Sequence, residues 1–155
     1  MTITTFAAGC FWGVEAKFRQ VNGVISTRVG YTSGTTEKPD YKAVCTGITG
    51  HAEAIEVTFD PAVISYQALL EVFWRLHNPT TLNRQGPDMG TQYRSAIFYH
   101  NDEQREQAVA SKLALDNSNY YPHPAVTEIT AASEFFPAEE YHQCYLEKKG
   151  LGSCH

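Results

Sequence analysis

The chain carries 155 residues, 43% of them hydrophobic, enough to bury one substantial core but not a second of comparable size, so a single domain over residues 1–155 is expected. A formal net charge of -5 and a pI of about 5.6 exclude a broad cationic surface for nucleic acid or an anionic membrane. No apolar run approaches the ~20 residues that cross a bilayer, and the first residues lack the basic-then-apolar pattern of an export signal, so a cytoplasmic protein with no membrane and no nucleic-acid partner is expected.

Residues 2–8 read as an opening strand. Phe11, Val14, Phe18 and Val21 then recur at helical spacing up to the breaker Asn22-Gly23, and a second strand covers residues 24–31. A loop rich in Gly, Thr and Ser, carrying Pro39, runs to about Gly50. Ile55, Val57 and Phe59 alternate with Glu56, Thr58 and Asp60 in a half-buried strand over 52–59, closed by Asp60-Pro61. Ser65 caps the next helix, which carries Leu69, Leu70, Phe73, Trp74 and His77 on one face and ends at Asn78-Pro79. The polar segment 78–92 is long for a connection, which marks it as a functional loop rather than a spacer. A strand at 95–99, a helix at 102–116, a strand at 126–131 and a last helix at 138–149, entered through Pro137, complete the order. The resulting β-α-β-β-α-β-α-β-α order predicts an α+β fold, a two-layer sandwich of a mixed sheet with packed helices.

Cysteines at 10, 45, 144 and 154 form no Cys-x-x-Cys pair and are too sparse for a disulfide scaffold. As thiols, each is either a small buried hydrophobe or a reactive group. Cys10 falls where the first strand meets the first helix, and there the unpaired N–H groups and the positive end of the macrodipole favour a thiolate. Gly9 and Gly13 bracket it and permit close backbone approach, while Phe11 and Trp12 are able to wall an apolar pocket. On position alone, a core cysteine between core aromatics is an equal reading.

The run GCFWG resembles the active-site signature of the A-class peptide methionine sulfoxide reductases. Further blocks resemble that family's pattern in its order over nearly the whole length: 41–45, 49–53, 83–86, 90–95 and 140–143. The resemblance implies a ferredoxin-like core. It also implies reduction of the S epimer of methionine sulfoxide, in oxidised proteins and as the free amino acid, with thioredoxin as the reductant. A monomer with no cofactor and no metal is expected.

Reducing a sulfoxide with a thiol needs a nucleophile for sulfur, an acid for the departing oxygen and a pocket for the S-methyl group. Attack by Cys10 releases methionine and leaves a sulfenic acid. Glu53 shares strand parity with Ile55, Val57 and Phe59, so it is expected on the buried face, where desolvation keeps its carboxyl protonated near neutral pH; the alternative is a frayed strand end in solvent. The resemblance implies the same general-acid role for Glu53. It also implies hydrogen bonds from Tyr41 and Tyr93 to the sulfoxide oxygen, a polar organising role for Asp88, and a methyl pocket of Phe11 and Trp12, which equally suit a core.

A second thiol must resolve the sulfenic acid. Cys154 follows Gly150 and Gly152 in a terminal segment and is expected to swing to Cys10. Cys144, at helical spacing from Tyr141 and in a stripe with Tyr145, is expected as packing, with a resolving role left open; Cys45 is expected buried and inert. Asn78, Pro87 and Cys144 depart from the family pattern, and Pro87 bears on where Asp88 sits. No further cysteine follows Cys154, so a two-thiol cycle is expected. Two rival readings are a cysteine hydrolase with His51 as base, and a metal module of His142, Cys144, Cys154 and His155, which lacks the paired short spacings of a closed zinc site.

Overall fold

A computed structural model describes residues 1–148 other than residues 38 and 48. The chain opens with β1 (Thr2–Ala8), α1 (Phe11–Arg19), β2 (Val24–Thr32), α2 (Tyr41–Cys45), β3 (Ala52–Phe59) and α3 (Tyr66–Arg75). A short hairpin of β4 (Arg84–Gln85) and β5 (Asp88–Met89) follows, then β6 (Ser95–Tyr99), α4 (Asp102–Asn117), β7 (Glu128–Ala131), β8 (Phe135–Pro137) and α5 (Tyr145–Lys148). The main sheet runs β7-β6-β1-β3-β2-β8; β6 and β7 are parallel and the other pairs antiparallel, which makes it a mixed sheet in an α+β fold.

Helix starts follow the local chemistry. Ser65, Asp40 and Asn101 each turn a side-chain oxygen onto a backbone N–H of the first turn, at 3.0, 2.7 and 2.8 Å, satisfying donors that the helix leaves unpaired. The core forms where α1 and α3 meet the two central strands. Phe6 of β1 stacks on Phe18 of α1 at 5.3 Å and on Phe73 of α3 at 5.0 Å, and all three rings are fully buried. Truncating such a ring to alanine costs about 3–5 kcal/mol. Side chains of the other parity, Ala7, Ala52, Ala54, Ala96 and Phe98, form a second, smaller buried cluster, with Phe135 packed against it.

Three expectations are corrected. The loop over residues 32–50 contains the short helix α2, which Asp40 nucleates. Strand β8 ends at Pro137, and in place of the expected helix over 138–149 the described residues form a 3-10 turn over Glu140–His142 and the one-turn α5, separated by Cys144 at φ +53. Glu139, Gln143 and the Cys144 N–H all hydrogen-bond to other parts of the fold, and these tertiary bonds outcompete local helix formation. Cys45 is exposed rather than buried, because α2 is a surface turn that buries only Val44.

Candidate active site

Cys10 is the N-cap of α1 and half-buried. Gly9 before it has φ +96, and a Cβ built there would lie 2.8 Å from the Gln85 side chain, so only glycine lets the β4–β5 hairpin close over the start of the helix. The next residue, Phe11, points its N–H at Oε1 of Glu53, 3.3 Å away. The strand-to-helix turn thus brings the carboxyl onto the peptide N–H that directly follows the sulfur-bearing residue.

Glu53 is 1% exposed, on the buried face that its parity predicted. Burial pushes its carboxyl up to about 8, against the opposing pull of the Phe11 N–H and with a smaller upward push from the Asp88 charge. Near neutral pH the group therefore holds a proton. Its Oε2 is buried and makes no protein hydrogen bond, so the O–H has a free direction in which to donate.

Around this pair stands a wall of rings. Phe11 packs against Tyr31 at 5.8 Å and Tyr41 at 6.4 Å, and Trp12 against Tyr41 at 6.1 Å. Tyr31 pairs directly with Glu53 across β2 and β3. Burial, and after it the Glu53 charge, holds Tyr93 well above the ordinary tyrosine range; Cys45, Asp88 and Cys10 add to this, which puts Tyr93 in the same electrostatic cluster. Burial likewise raises Tyr41 above the ordinary tyrosine range, and the nearby Cys45 thiol and the Glu53 charge add to this. Asp88 is exposed on β5, one residue after Pro87.

The expected residues Cys10, Phe11, Trp12, Tyr41, Glu53, Asp88 and Tyr93 are therefore gathered in one place. Cys154 lies outside the described residues. Three further groups belong to the same cluster; from the sequence His142 is offered only as a ligand of the rival metal module, and Tyr145 and Glu139 are given no site role. His142, 1% exposed, accepts the Trp12 indole N–H on Nδ1 at 2.9 Å and lies 4.4 Å from the Tyr41 ring. Tyr145 stacks on Trp12 at 4.0 Å. Glu139 accepts from the Tyr31 hydroxyl at 3.0 Å and from the Tyr41 N–H at 3.3 Å; burial pulls its carboxyl upward, but its own backbone N–H first, then these two donors and His142, outweigh it and hold it below the ordinary range. The block 140–143 was the available signal for His142, though nothing in its spacing points at Trp12.

The hydrolase reading loses its base. His51 is buried with both ring nitrogens committed: Nδ1 accepts the Gly34 N–H at 3.1 Å, so Nε2 carries the hydrogen given to the Thr36 carbonyl at 2.7 Å. It is a loop fastener and not a base for Cys10. Among the described residues no group of three His, Cys, Asp or Glu is placed to hold a metal; Cys154 and His155 lie outside them. A groove of about 750 Å³ between α3 and α4, lined by Trp74, Ser111, Leu115 and Tyr121 among others, shares no residue with the Cys10 cluster. No helix among the described residues is long and apolar enough to cross a membrane.

Residues 2–155 match the family model for peptide methionine sulfoxide reductase. A peptide methionine sulfoxide reductase MsrA of Methanosarcina acetivorans is 62% identical over 147 residues, 95% of this chain and 78% of that relative. Reduced Mxr1 of Saccharomyces cerevisiae superimposes with a TM-score of 0.90 at 38% identity, over 96% of this chain and 86% of that one. Mxr1 in complex with Trx2 superimposes with a TM-score of 0.66 at 25% identity, over 93% and 84%. A cysteine at a helix start against a protonated carboxyl, and sequence relatives at this identity over nearly the full length, lead to one conclusion: the chain belongs to the peptide methionine sulfoxide reductase family of oxidoreductases.

Proposed function

We propose that the chain reduces the S epimer of methionine sulfoxide, protein-bound and free, with Cys10 as nucleophile and Glu53 as general acid. The observation that carries this reading is the Phe11 N–H to Glu53 bond, which holds a proton-bearing carboxyl beside the Cys10 thiolate position. The thiolate attacks the sulfoxide sulfur while Glu53 protonates its oxygen, and the resulting hydroxyl passes to the Cys10 sulfur as the transient bond between the two sulfurs breaks. The substrate sulfur is reduced to a thioether, and Cys10 is oxidised to a sulfenic acid. Phe11 and Trp12 receive the S-methyl group by apolar and sulfur-aromatic contact, Tyr41 and Tyr93 donate to the oxygen, and Asp88 orders the polar rim. The S epimer is the one that the A-class resemblance implies.

Cys154 then displaces water from the sulfenic acid to give a Cys10–Cys154 disulfide, which a dithiol reductant opens by exchange. We take that reductant to be thioredoxin; the likeness to Mxr1 in complex with Trx2 supports it. The working unit is a single cytoplasmic domain acting as a monomer, with no cofactor. Its core is read as a two-layer ferredoxin-like sandwich, supported by the strand run β6-β1-β3-β2 with α1 and α3 as the crossovers.

Single-turnover reduction of each epimer without added reductant tests the reading. One methionine per chain from the S epimer alone, followed by a Cys10–Cys154 bridge, is expected. Equal consumption of the R epimer, or a bridge between other cysteines, would overturn it.

A further inference from the structure

Glu15 is a buried carboxyl that the proposed chemistry does not use. It lies on α1, five residues after Cys10, and is 1% exposed. Its Oε1 accepts the Cys144 N–H at 2.6 Å; its Oε2 accepts the Thr27 hydroxyl at 2.8 Å and faces the Cys144 thiol at 3.9 Å. Withdrawing a carboxylate from water is unfavourable unless donors replace the water, so its role is to be sought in what those donors hold in place.

They hold a left-handed turn. Cys144 has φ +53, a conformation that a residue with a Cβ keeps only when its surroundings impose it. On one side of the turn, Gln143 is tied to β2: its Oε1 accepts the Val29 N–H and its Nε2 donates to the Val29 carbonyl, each at 2.9 Å. On the other side, Tyr145 lies on Trp12 and Leu146 is buried. The chain thus passes from β2 to α1 at a single residue, and the bond to Glu15 fixes the direction it takes.

We propose that Glu15 is a positioning residue for the resolution of oxidised Cys10: by fixing the turn at Cys144, it sets where the tether to Cys154 begins, against the helix that starts beside Cys10. The inference rests on the assignment of Cys154 as resolving thiol. The rate at which a tethered thiol closes a disulfide follows its effective concentration, which depends on where the tether starts and whether it spans the gap. Here the tether runs ten residues, from 144 to 154. Cys154 sulfur displaces the hydroxyl of the Cys10 sulfenic acid as water and the S–S bond forms, while Glu15 touches no reacting atom.

The test follows methionine release and the Cys10–Cys154 bridge separately in single turnovers of the full chain. In Glu15→Ala, release stays within threefold of wild type and bridging slows tenfold or more. Glu15→Asp keeps the charge but withdraws it by one methylene from the Cys144 N–H, and as the milder change it slows bridging alone by about threefold to tenfold. Glu15→Gln keeps an acceptor oxygen, and Cys144→Gly keeps the N–H on a residue suited to the turn; both bridge within threefold of wild type. Wild-type bridging in Glu15→Ala or Glu15→Asp overturns the proposal, as does a loss of release and bridging in equal proportion. A wild-type chain that releases methionine but joins Cys10 to another thiol brings down the Cys154 assignment and this inference together; a wild-type Cys10–Cys154 bridge matched by Glu15→Ala brings down this inference alone.

Discussion

Phe11 and Glu53, 42 residues apart in sequence, meet through one hydrogen bond of 3.3 Å that joins the first peptide N–H of α1 to a carboxyl on β3. That N–H pulls the carboxyl down and burial pushes it up; burial wins, leaving it at about 8. A general acid with this value is competent below pH 8 and loses a factor of ten in its protonated fraction per unit above it. The first-turnover rate is therefore expected to fall along a limb centred near pH 8. Glu53→Gln should lose that limb and about a hundredfold or more in rate, which rapid-quench measurement of methionine across pH 6–10 reads directly.

The same carboxyl has a stability signature. Its folded value lies above its unfolded value of about 4.5, so between the two the native state binds more protons and stability falls as pH rises. Wild type is expected to lose on the order of a few kcal/mol between pH 4.5 and pH 8 that Glu53→Gln does not lose. In thermal melts the difference in Tm, variant minus wild type, should grow with pH across that window. A constant difference would mean that Glu53 is ionised in the fold at neutral pH.

Tyr41 is held high by burial first and then by the neighbouring Cys45 thiol. A sulfur that took up the Tyr41 hydroxyl would compete with substrate for one proton. Cys45→Ala should keep the first-turnover rate or raise it by up to about threefold, a gain on the scale of one weak hydrogen bond, whereas Tyr41→Phe should lower it about tenfold. A tenfold loss in Cys45→Ala would show that the thiol supports Tyr41 instead of competing with it.

His77 carries a second pH dependence, away from the site. Its Nδ1 donates to the Phe73 carbonyl and its Nε2 accepts from the Ser95 hydroxyl, each at 2.7 Å, and Ser95 in turn meets Thr127 at 2.8 Å. Burial lowers the ring to about 4, against the Phe73 carbonyl, which favours the charged form. Between pH 6.5 and pH 4 the unfolded chain binds the extra proton, so stability drops as pH falls through that range. The His77 contribution is a loss on the order of 2 kcal/mol, opposed by the Glu53 gain over the same range, and it is read as the change between pH 7 and pH 4.5 in the stability of wild type relative to His77→Gln in urea titrations.

Much of this was legible from the chain, for identifiable reasons. Hydrophobic periodicity placed β1, α1, β3, α3 and β6, whose buried faces are long and regular. Parity placed Glu53 on the buried face, although Ala52 and Ala54 beside it are equally buried, so alternation alone did not reveal that β3 is covered on both sides there. Cys10 was legible because a strand-to-helix junction has its own electrostatics. The segment 135–148 was not: it is short and irregular, and its shape depends on bonds to Val29, Tyr31, Glu15 and Trp12, more than a hundred residues away in sequence. Cys45 was misread because Val44 beside it is buried, while the turn carrying both exposes its other side.

The central claim is that the Cys10 sulfur takes the oxygen of methionine sulfoxide. Replacing it in Cys10→Ser and counting methionine released in a single turnover tests that claim most directly. The account predicts that release falls at least a thousandfold, to about the uncatalysed level, since a serine hydroxyl is not ionised near neutral pH and cannot be oxidised in place of the sulfoxide. One methionine per chain, released at the wild-type rate, would contradict it.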